Sequence, residues 1–300
     1  MERAVASTRA SAVAAAHESL KHVRTWDLGR ISVGAAVVVI GVFSGLRILA
    51  IDPWSLPAFD SYSYWTTRAG LDYASAVQGQ TGAYLYSPAF AQLIGPLTAL
   101  PWPVFAGVWT VVIAAPLLWL AGRLALPIAL LPPVAMSIGL GQLDLGFAMV
   151  AVVGLRWPAV WALPILTKLT PGIGLIWFLV RGEWRSLGLA LGATAIVASV
   201  SFALDPAAWL GWIALLARLD FPVLGGGLVL VPVDLWLRLL AAGLLVAWGA
   251  RADRQWTIPV AMCLALPTIF LNSPTILLAL LPLLAAGKHS PASRWLAAHR

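Results

Sequence analysis

The residues best suited to chemistry lie in a polar stretch, residues 52–86. All five tyrosines of the chain are there: Tyr62, Tyr64, Tyr73, Tyr84 and Tyr86. Three of the twelve acidic residues join them: Asp52, Asp60 and Asp72. A tyrosine offers a flat apolar face and a hydroxyl group, which suits sugar rings and lipid headgroups. Tyrosine also favours membrane interfaces, so a purely anchoring role remains an alternative.

Asp60 is the best placed of these acids, because Phe59, Tyr62 and Tyr64 surround it in the sequence. A carboxylate in that setting can take a proton from a substrate hydroxyl. Asp52 directly precedes a proline and is typical of a turn that ends a helix. Asp72 fits a solvated loop acid. Each acid taken singly is more often solvated than catalytic.

A second group of polar residues interrupts apolar sequence. Gln142 and Asp144 follow Gly141, and Lys168 lies deep in an apolar segment, three residues before a proline. A charge inside a membrane costs about 2.5–3.5 kcal/mol on insertion scales and usually has a function. We therefore predict that Lys168 is functional or paired with Asp144, with a structural ion pair as the plainer reading of Asp144.

Three further residues have weaker cases. Arg47 and Arg238 also lie in apolar segments, but close enough to the ends to extend their charges to the interface. Asn272, before Ser273 and Pro274, is typical of a turn with local hydrogen bonds. A substrate contact for Asn272 is the alternative.

The rare residues exclude several kinds of site. There is one cysteine, Cys263, and the four histidines, at positions 17, 22, 289 and 299, are all in the two tails. These counts exclude an intrachain disulfide and a zinc finger, and argue against Ser–His–Asp catalysis in the apolar body. The chain has no Asp-x-Asp motif and no phosphate-binding loop. We expect no metal site and no cofactor, and chemistry that uses carboxylates, hydroxyls, amides, lysine and arginine.

The elements that must position these residues are membrane helices. The chain is 61% hydrophobic and 10% charged, whereas soluble domains are about 25% charged. The fold class is therefore all-α, a polytopic helical bundle. The net charge of +7 is scattered between apolar runs, which indicates topology signals rather than nucleic-acid binding.

The hydropathy pattern predicts ten apolar segments. They are 31–51, 87–100, 103–121, 124–139, 143–155, 158–180, 186–204, 233–250, 257–271 and 274–286. Three of them, 87–100, 124–139 and 143–155, are shorter than the roughly 20 residues that a span needs. They are either tilted half-helices, or 124–155 is one re-entrant hairpin with Gln142 and Asp144 near its tip.

Lys and Arg placement predicts the orientation in the cell membrane. The tails 1–30 and 288–300 are expected in the cytoplasm, and 31–287 is expected to be one transmembrane domain. The long loops 52–86 and 205–232, the latter with an amphipathic piece at 209–219, then lie outside.

The order of several short strings resembles a known family. Tyr84-Leu85-Tyr86-Ser87-Pro88 precedes Gly141-Gln142, which precedes Lys168-Leu169-Thr170-Pro171. This order, after an aspartate in the first outer loop, is similar to the polyprenol-phosphate-mannose-dependent mannosyltransferases of the GT-C superfamily, glycosyltransferase family 87. The resemblance covers roughly residues 35–285.

The resemblance implies a membrane glycosyltransferase that moves a sugar, mannose in that family, from a polyprenyl phosphate to a lipid or glycan acceptor outside. It implies Asp60 as the catalytic base. The substrate-binding candidates are Arg47, Tyr62, Tyr64, Tyr84, Tyr86, Gln142, Asp144, Lys168 and Asn272. The chain departs from the family in lacking Trp and His after Ser273-Pro274.

Two other functions stay open from sequence. A transporter or lipid flippase would use Lys168 and Asp144 as a site at the membrane midplane, although no repeat relates two halves. A non-catalytic membrane subunit of the same fold is the other alternative.

Overall fold

The computed structural model describes residues 58–219, 231 and 233–284. This part of the chain is helical, with no strand. The α-helices are α1 Phe59–Thr66, α2 Pro88–Thr98, α3 Trp102–Ala121, α4 Ala125–Ala129, α5 Pro132–Leu140, α6 Asp144–Val153, α7 Ala162–Lys168, α8 Ile176–Arg181, α9 Trp184–Leu204, α10 Pro206–Arg218, α11 Leu235–Arg251, α12 Thr257–Leu264 and α13 Leu280–Leu284. The predicted first span 31–51, both tails, Arg47 and most of 220–232 lie outside the described residues.

Two helical stretches are long and apolar enough to cross a membrane. They are Trp102–Ala129, which joins α3 to α4 through a short 3-10 turn, and α9. Only 11% of the apolar window of α9 is buried within the protein, so its surface suits lipid. A bent pair, α5 with α6, makes at most a third span. The described part of the chain therefore confirms an all-helical membrane-type fold, but it does not confirm that all ten predicted apolar segments are spans.

Proline and glycine explain much of this difference. The segment 158–180 was expected to be one span, but it forms a 3-10 turn at Pro158–Trp161, then α7, a second 3-10 helix at Thr170–Leu175, and α8. Proline removes a hydrogen-bond donor and clashes with the preceding turn of a helix. The segment 257–271 likewise keeps helix only to Leu264, and 274–286 begins as the 3-10 helix Ser273–Ala279.

The break between α5 and α6 matches the predicted interruption near Gln142. The two helices differ in direction by 107°, and residues 141–143 form the bend. Such a break in apolar sequence is tolerated where protein surrounds it, and Gln142 and Asp144 are both buried there.

The two predicted outer loops lie together in the structure. The predicted amphipathic piece forms α10, which buries Trp209, Trp212 and Leu215 on one side. The Trp212 Nε1 donates to the Leu85 carbonyl at 3.1 Å, and Arg218 donates to the Tyr73 carbonyl at 2.6 Å. The loops around 58–86 and 205–219 therefore share one side of the described part of the molecule.

A different set of loops meets at the other end of α9. Arg181, at the end of α8, pairs with Glu183 at 2.7 Å and with Asp253, after α11, at 3.0 Å. Arg185, Arg251 and Arg254 are exposed nearby in the sequence. The two arginine-containing loops that were expected on the same side of the membrane therefore meet in the structure.

Candidate active site

Helix α1 carries Asp60 and is fixed to the end of α5. The backbone N–H of Ala58 donates to the Gly139 carbonyl at 2.7 Å, and the Ser61 hydroxyl donates to the Leu140 carbonyl at 3.5 Å. The last carbonyls of a helix have no partner within it. Docking α1 there satisfies two of them and sets the position of the Asp60 backbone.

Gly141 makes this docking possible. Its φ of 77° ends α5 in a Schellman motif, with Gln142 N–H bonded to the Ser137 carbonyl at 2.9 Å and Gly141 N–H to Ile138 at 3.1 Å. A Cβ atom on Gly141 would lie 1.8 Å from the Ser61 Oγ. The Gly141-Gln142 pair therefore ends a helix, admits α1, and turns the Gln142 side chain toward Asp60.

Five predicted site residues form one hydrogen-bonded chain, which we call the polar network: Asp60, Gln142, Lys168, Asp144 and Asn272. Gln142 Nε2 donates to Asp60 Oδ2 at 2.6 Å. Lys168 Nζ donates to Gln142 Oε1 at 3.0 Å and lies 3.4 Å from Asp144 Oδ1. Asn272 Nδ2 donates to Asp144 Oδ2 at 2.7 Å. The predicted pairing of Lys168 with Asp144 is confirmed.

The network is deep at one end and accessible at the other. Asp144 is fully buried and Asn272 is 2% exposed. The Lys168 side chain is 16% exposed, and Asp60 is also partly exposed. Asp60 and Lys168 are therefore the charged members of the network nearest to the protein surface, whereas Asp144 and Asn272 lie behind them. The turn predicted for Asn272 is present, but its side chain bonds across the fold rather than locally.

Lys168 ends α7 at a strained turn. Leu169 has φ 53° and ψ −59°, a conformation that a bulky residue rarely adopts and that costs about 1–3 kcal/mol. The Ser87 hydroxyl donates to the Leu166 carbonyl, one of the unpaired carbonyls at the end of α7. The string Tyr84–Pro88 thus supports the turn that presents Lys168.

The tyrosines divide into two groups. The hydroxyls of Tyr64 and Tyr86 lie 3.3 Å apart, and both rings are near enough to Asp60 for an electrostatic interaction. Tyr84 instead donates to the Ser87 carbonyl at 2.9 Å. Tyr62 packs edge-on against Trp102 with ring centroids 5.2 Å apart. Tyr64 and Tyr86 therefore border the polar network, while Tyr62 and Tyr84 support the loop.

The surroundings of Asp60 make it a stronger base than an ordinary aspartate. Burial raises the pKa of its carboxyl to about 6, and Asp144 acts in the same direction. The Lys168 ammonium and the hydrogen bond from Gln142 oppose that rise. A carboxylate with this pKa is mostly ionised at neutral pH and suited to general-base work.

The neighbouring acids and bases have other partners. Asp72 accepts from the Ser75 hydroxyl at 2.6 Å and from the backbone N–H of Ala74, and these bonds in an exposed loop lower its pKa. It is the solvated loop acid that the sequence indicated. Arg68 lies over the Trp65 ring at 4.9 Å.

Arg238 is held by main-chain carbonyls. Its guanidinium donates to those of Val233, Leu264, Leu266 and Pro267 at 2.5–2.9 Å. Within the described residues, no group of three or more His, Cys, Asp and Glu side chains is arranged to hold a metal ion.

The comparison with protein families decides the class of this protein. The model of glycosyltransferase family 87 matches residues 84–274. The chain belongs to glycosyltransferase family 87. No curated protein and no solved structure matches it. A membrane glycosyltransferase is thus supported over the transporter alternative, and the matched region includes Gln142, Asp144, Lys168 and Asn272.

Several supporting residues of this glycosyltransferase were missed from sequence. Ser61 and Ser87 bond to helix ends, and the Trp109 Nε1 donates to the Gly141 carbonyl at 3.0 Å. Gly141, directly before a polar pair in apolar sequence, was the available signal of a helix end. Nothing in the sequence pairs Ser87 with residue 166, because the two are 79 positions apart.

Proposed function

We propose that this protein transfers a sugar, with mannose as the leading candidate, from a polyprenyl phosphate to a lipid or glycan acceptor on the outer face of the cell membrane. Membership of glycosyltransferase family 87 supports the reaction class. The observation that carries the mechanism is the link between the Asp60 carboxylate and the Lys168 ammonium through the single amide of Gln142.

In this mechanism Asp60 is the general base. The acceptor hydroxyl oxygen attacks the anomeric carbon of the donor sugar, and its proton passes to the Asp60 carboxylate. The bond from the anomeric carbon to the phosphate oxygen breaks, and polyprenyl phosphate leaves with the electron pair. Positioned bases of this kind typically contribute about 10²–10⁴-fold to rate.

Lys168 has a complementary role at the donor. Its ammonium offsets the charge that grows on the departing phosphate, as basic side chains do in phosphoryl-transfer sites. Tyr86, which is partly exposed, offers its ring and hydroxyl to the sugar, while the buried Tyr64 supports Tyr86 through the contact between their hydroxyls. This arrangement needs no metal-bound nucleotide, so a chelator should leave the transfer intact.

The test uses purified protein in lipid vesicles with labelled polyprenyl-phosphate mannose and membrane glycolipid acceptors. Asp60→Asn keeps the shape and removes the base, so we expect a rate loss of roughly 10²–10⁴-fold. Asp72→Asn is the matched control and should lose little, because Asp72 caps an exposed loop. The wild-type rate should also fall as the pH drops below about 6, where Asp60 takes up a proton.

Two results would overturn the proposal. Use of a nucleotide sugar in place of the lipid donor would change the donor class. Full activity of well-folded Asp60→Asn would remove the assigned base. No transfer by the wild-type protein from any lipid-linked sugar would instead favour the non-catalytic subunit.

A further inference from the structure

The polar network alternates donors and acceptors along its whole length. Asn272 donates to Asp144, Lys168 donates to Asp144 and to Gln142, and Gln142 donates to Asp60. Asp144 receives the two donors on different oxygens, Oδ2 from Asn272 and Oδ1 from Lys168. Each contact therefore constrains the next one.

Gln142 links the two charged side chains of the polar network, Lys168 and Asp60. An amide has one acceptor oxygen and one donor nitrogen, whereas an ammonium can only donate. Lys168 therefore fixes the Gln142 oxygen toward itself, which turns the Gln142 nitrogen toward Asp60. Within the described part of the chain, the Asp60 side chain accepts a hydrogen bond from this nitrogen, and only its Oδ2 atom takes part.

From this geometry we propose that Gln142 is a positioning residue that orients the Asp60 carboxylate and favours its ionised form, with its own amide set by Lys168, Asp144 and Asn272. The inference rests on the proposed function, because it takes Asp60 as the base. It assigns Gln142 a contact with Asp60 instead of a contact with the substrate, and it leaves Oδ1 of Asp60 to accept the proton.

The charged and titratable groups around Asp60 bear on the test. Lys168 at the end of α7 favours the carboxylate, and Asp144 on α6 disfavours it. Tyr64 on α1 and Tyr86 before α2 are the neighbouring hydroxyls. All four are unchanged in the variants below, so a change in Asp60 titration reports on position 142.

The experiment compares Gln142→Met, Gln142→Glu and a matched control, Gln92→Met. Methionine fills the space of glutamine without hydrogen bonds, and glutamate keeps the shape while adding a charge. Gln92 Nε2 donates to the Ser201 carbonyl at 3.3 Å on helices α2 and α9, away from Asp60. The same substitution there removes a helix-to-helix hydrogen bond from a glutamine amide to a backbone carbonyl.

Two readouts are taken on folded protein in lipid nanodiscs. One is the pH dependence of the transfer rate. The other is an infrared titration of the Asp60 carboxyl, whose signal is isolated by subtracting the spectra of Asp60→Asn. This measurement needs no sugar donor.

In Gln142→Met we expect two midpoints to rise by about one pH unit: that of the fall in transfer rate at acid pH, and that of the infrared titration of the Asp60 carboxyl. They should move further in Gln142→Glu, because a carboxylate then faces Asp60. Gln92→Met should leave both at the wild-type value. A Gln142 that only filled space would make the isosteric Gln142→Glu the milder variant.

The inference fails if the infrared titration of Asp60 is the same in wild type, Gln142→Met and Gln142→Glu, or if Gln92→Met shifts it equally. Failure of the proposed function has a different signature, which is retained transfer by Asp60→Asn. In that case the infrared titration still decides whether Gln142 controls the Asp60 proton.

Discussion

Lys168 and Arg238 are both basic residues in apolar sequence, yet the protein holds them in different ways. Lys168 is bound by two side chains, Gln142 and Asp144, and stays 16% exposed. Arg238 is 6% exposed and donates to four main-chain carbonyls. Three of those carbonyls belong to Leu264, the last residue of α12, and to Leu266 and Pro267 just after it.

The difference separates a basic side chain that can bind a substrate phosphate from one whose hydrogen-bond donors already bind backbone carbonyls. A side-chain partner can rearrange when a substrate phosphate arrives, and an ammonium can take a third acceptor. A guanidinium that satisfies several backbone carbonyls cannot leave without exposing them. Arg238 is therefore part of the scaffold.

Arg238→Met should give the largest effect on stability. It removes the Arg238 donor from the carbonyls of residues 233, 264, 266 and 267, of which that of Leu266 is buried, and an unsatisfied buried group costs about 1–3 kcal/mol. We expect a loss of about 3 kcal/mol or more, measured by unfolding in nanodiscs. The transfer rate per folded molecule should stay near wild type, and Arg251→Met, an exposed site on the same helix, should change neither.

A folded, stable Arg238→Met protein with no activity would break the comparison. It would give Arg238 a substrate role like that of Lys168.

The double variant Lys168→Met with Asp144→Asn should affect rate more than stability. It removes both charges, so neither is left buried without a partner, which is the costly outcome of a single change. We expect a folded protein whose transfer rate is lower by about 10²-fold or more. Lys168→Arg should retain more activity than the double variant, because it keeps the cation.

Equal rates for the double variant and the wild type would make the Lys168 pair structural and remove the contrast with Arg238.

Leu169→Gly should give the smallest effect and sharpen the role of the turn after Lys168. Glycine adopts positive φ readily and relieves the strain, while it adds entropy to the unfolded chain. We expect stability to rise by about 1 kcal/mol and the transfer rate to fall a few-fold, because Lys168 is held less firmly. Thermal unfolding and initial rates measure the two changes.

The fold was predicted unevenly, and hydropathy explains why. The helical membrane class, α9 and the amphipathic α10 followed from composition and pattern. The number of spans among the ten apolar segments did not, since apolar residues suit lipid and protein interior alike and therefore do not mark where helices break. The prolines and glycines of 158–180 carried the missing signal, but their effect depends on whether neighbouring groups can satisfy the freed backbone.

The sequence by itself determined the membrane class, the family resemblance and a set of polar residues that apolar surroundings make costly. Asp60, Gln142, Asp144, Lys168 and Asn272 all stood out because each is polar where its neighbours are not, or beside aromatics. Only the tertiary structure decided that these five touch, and that Arg238 does not join them. Gln142 and Asp60 are 82 positions apart, and Asn272 and Asp144 are 128 apart. Contacts at that separation depend on the bend at Gly141 and the turn at Leu169, and a local pattern of apolar residues encodes neither the angle of a bend nor the partner it brings near.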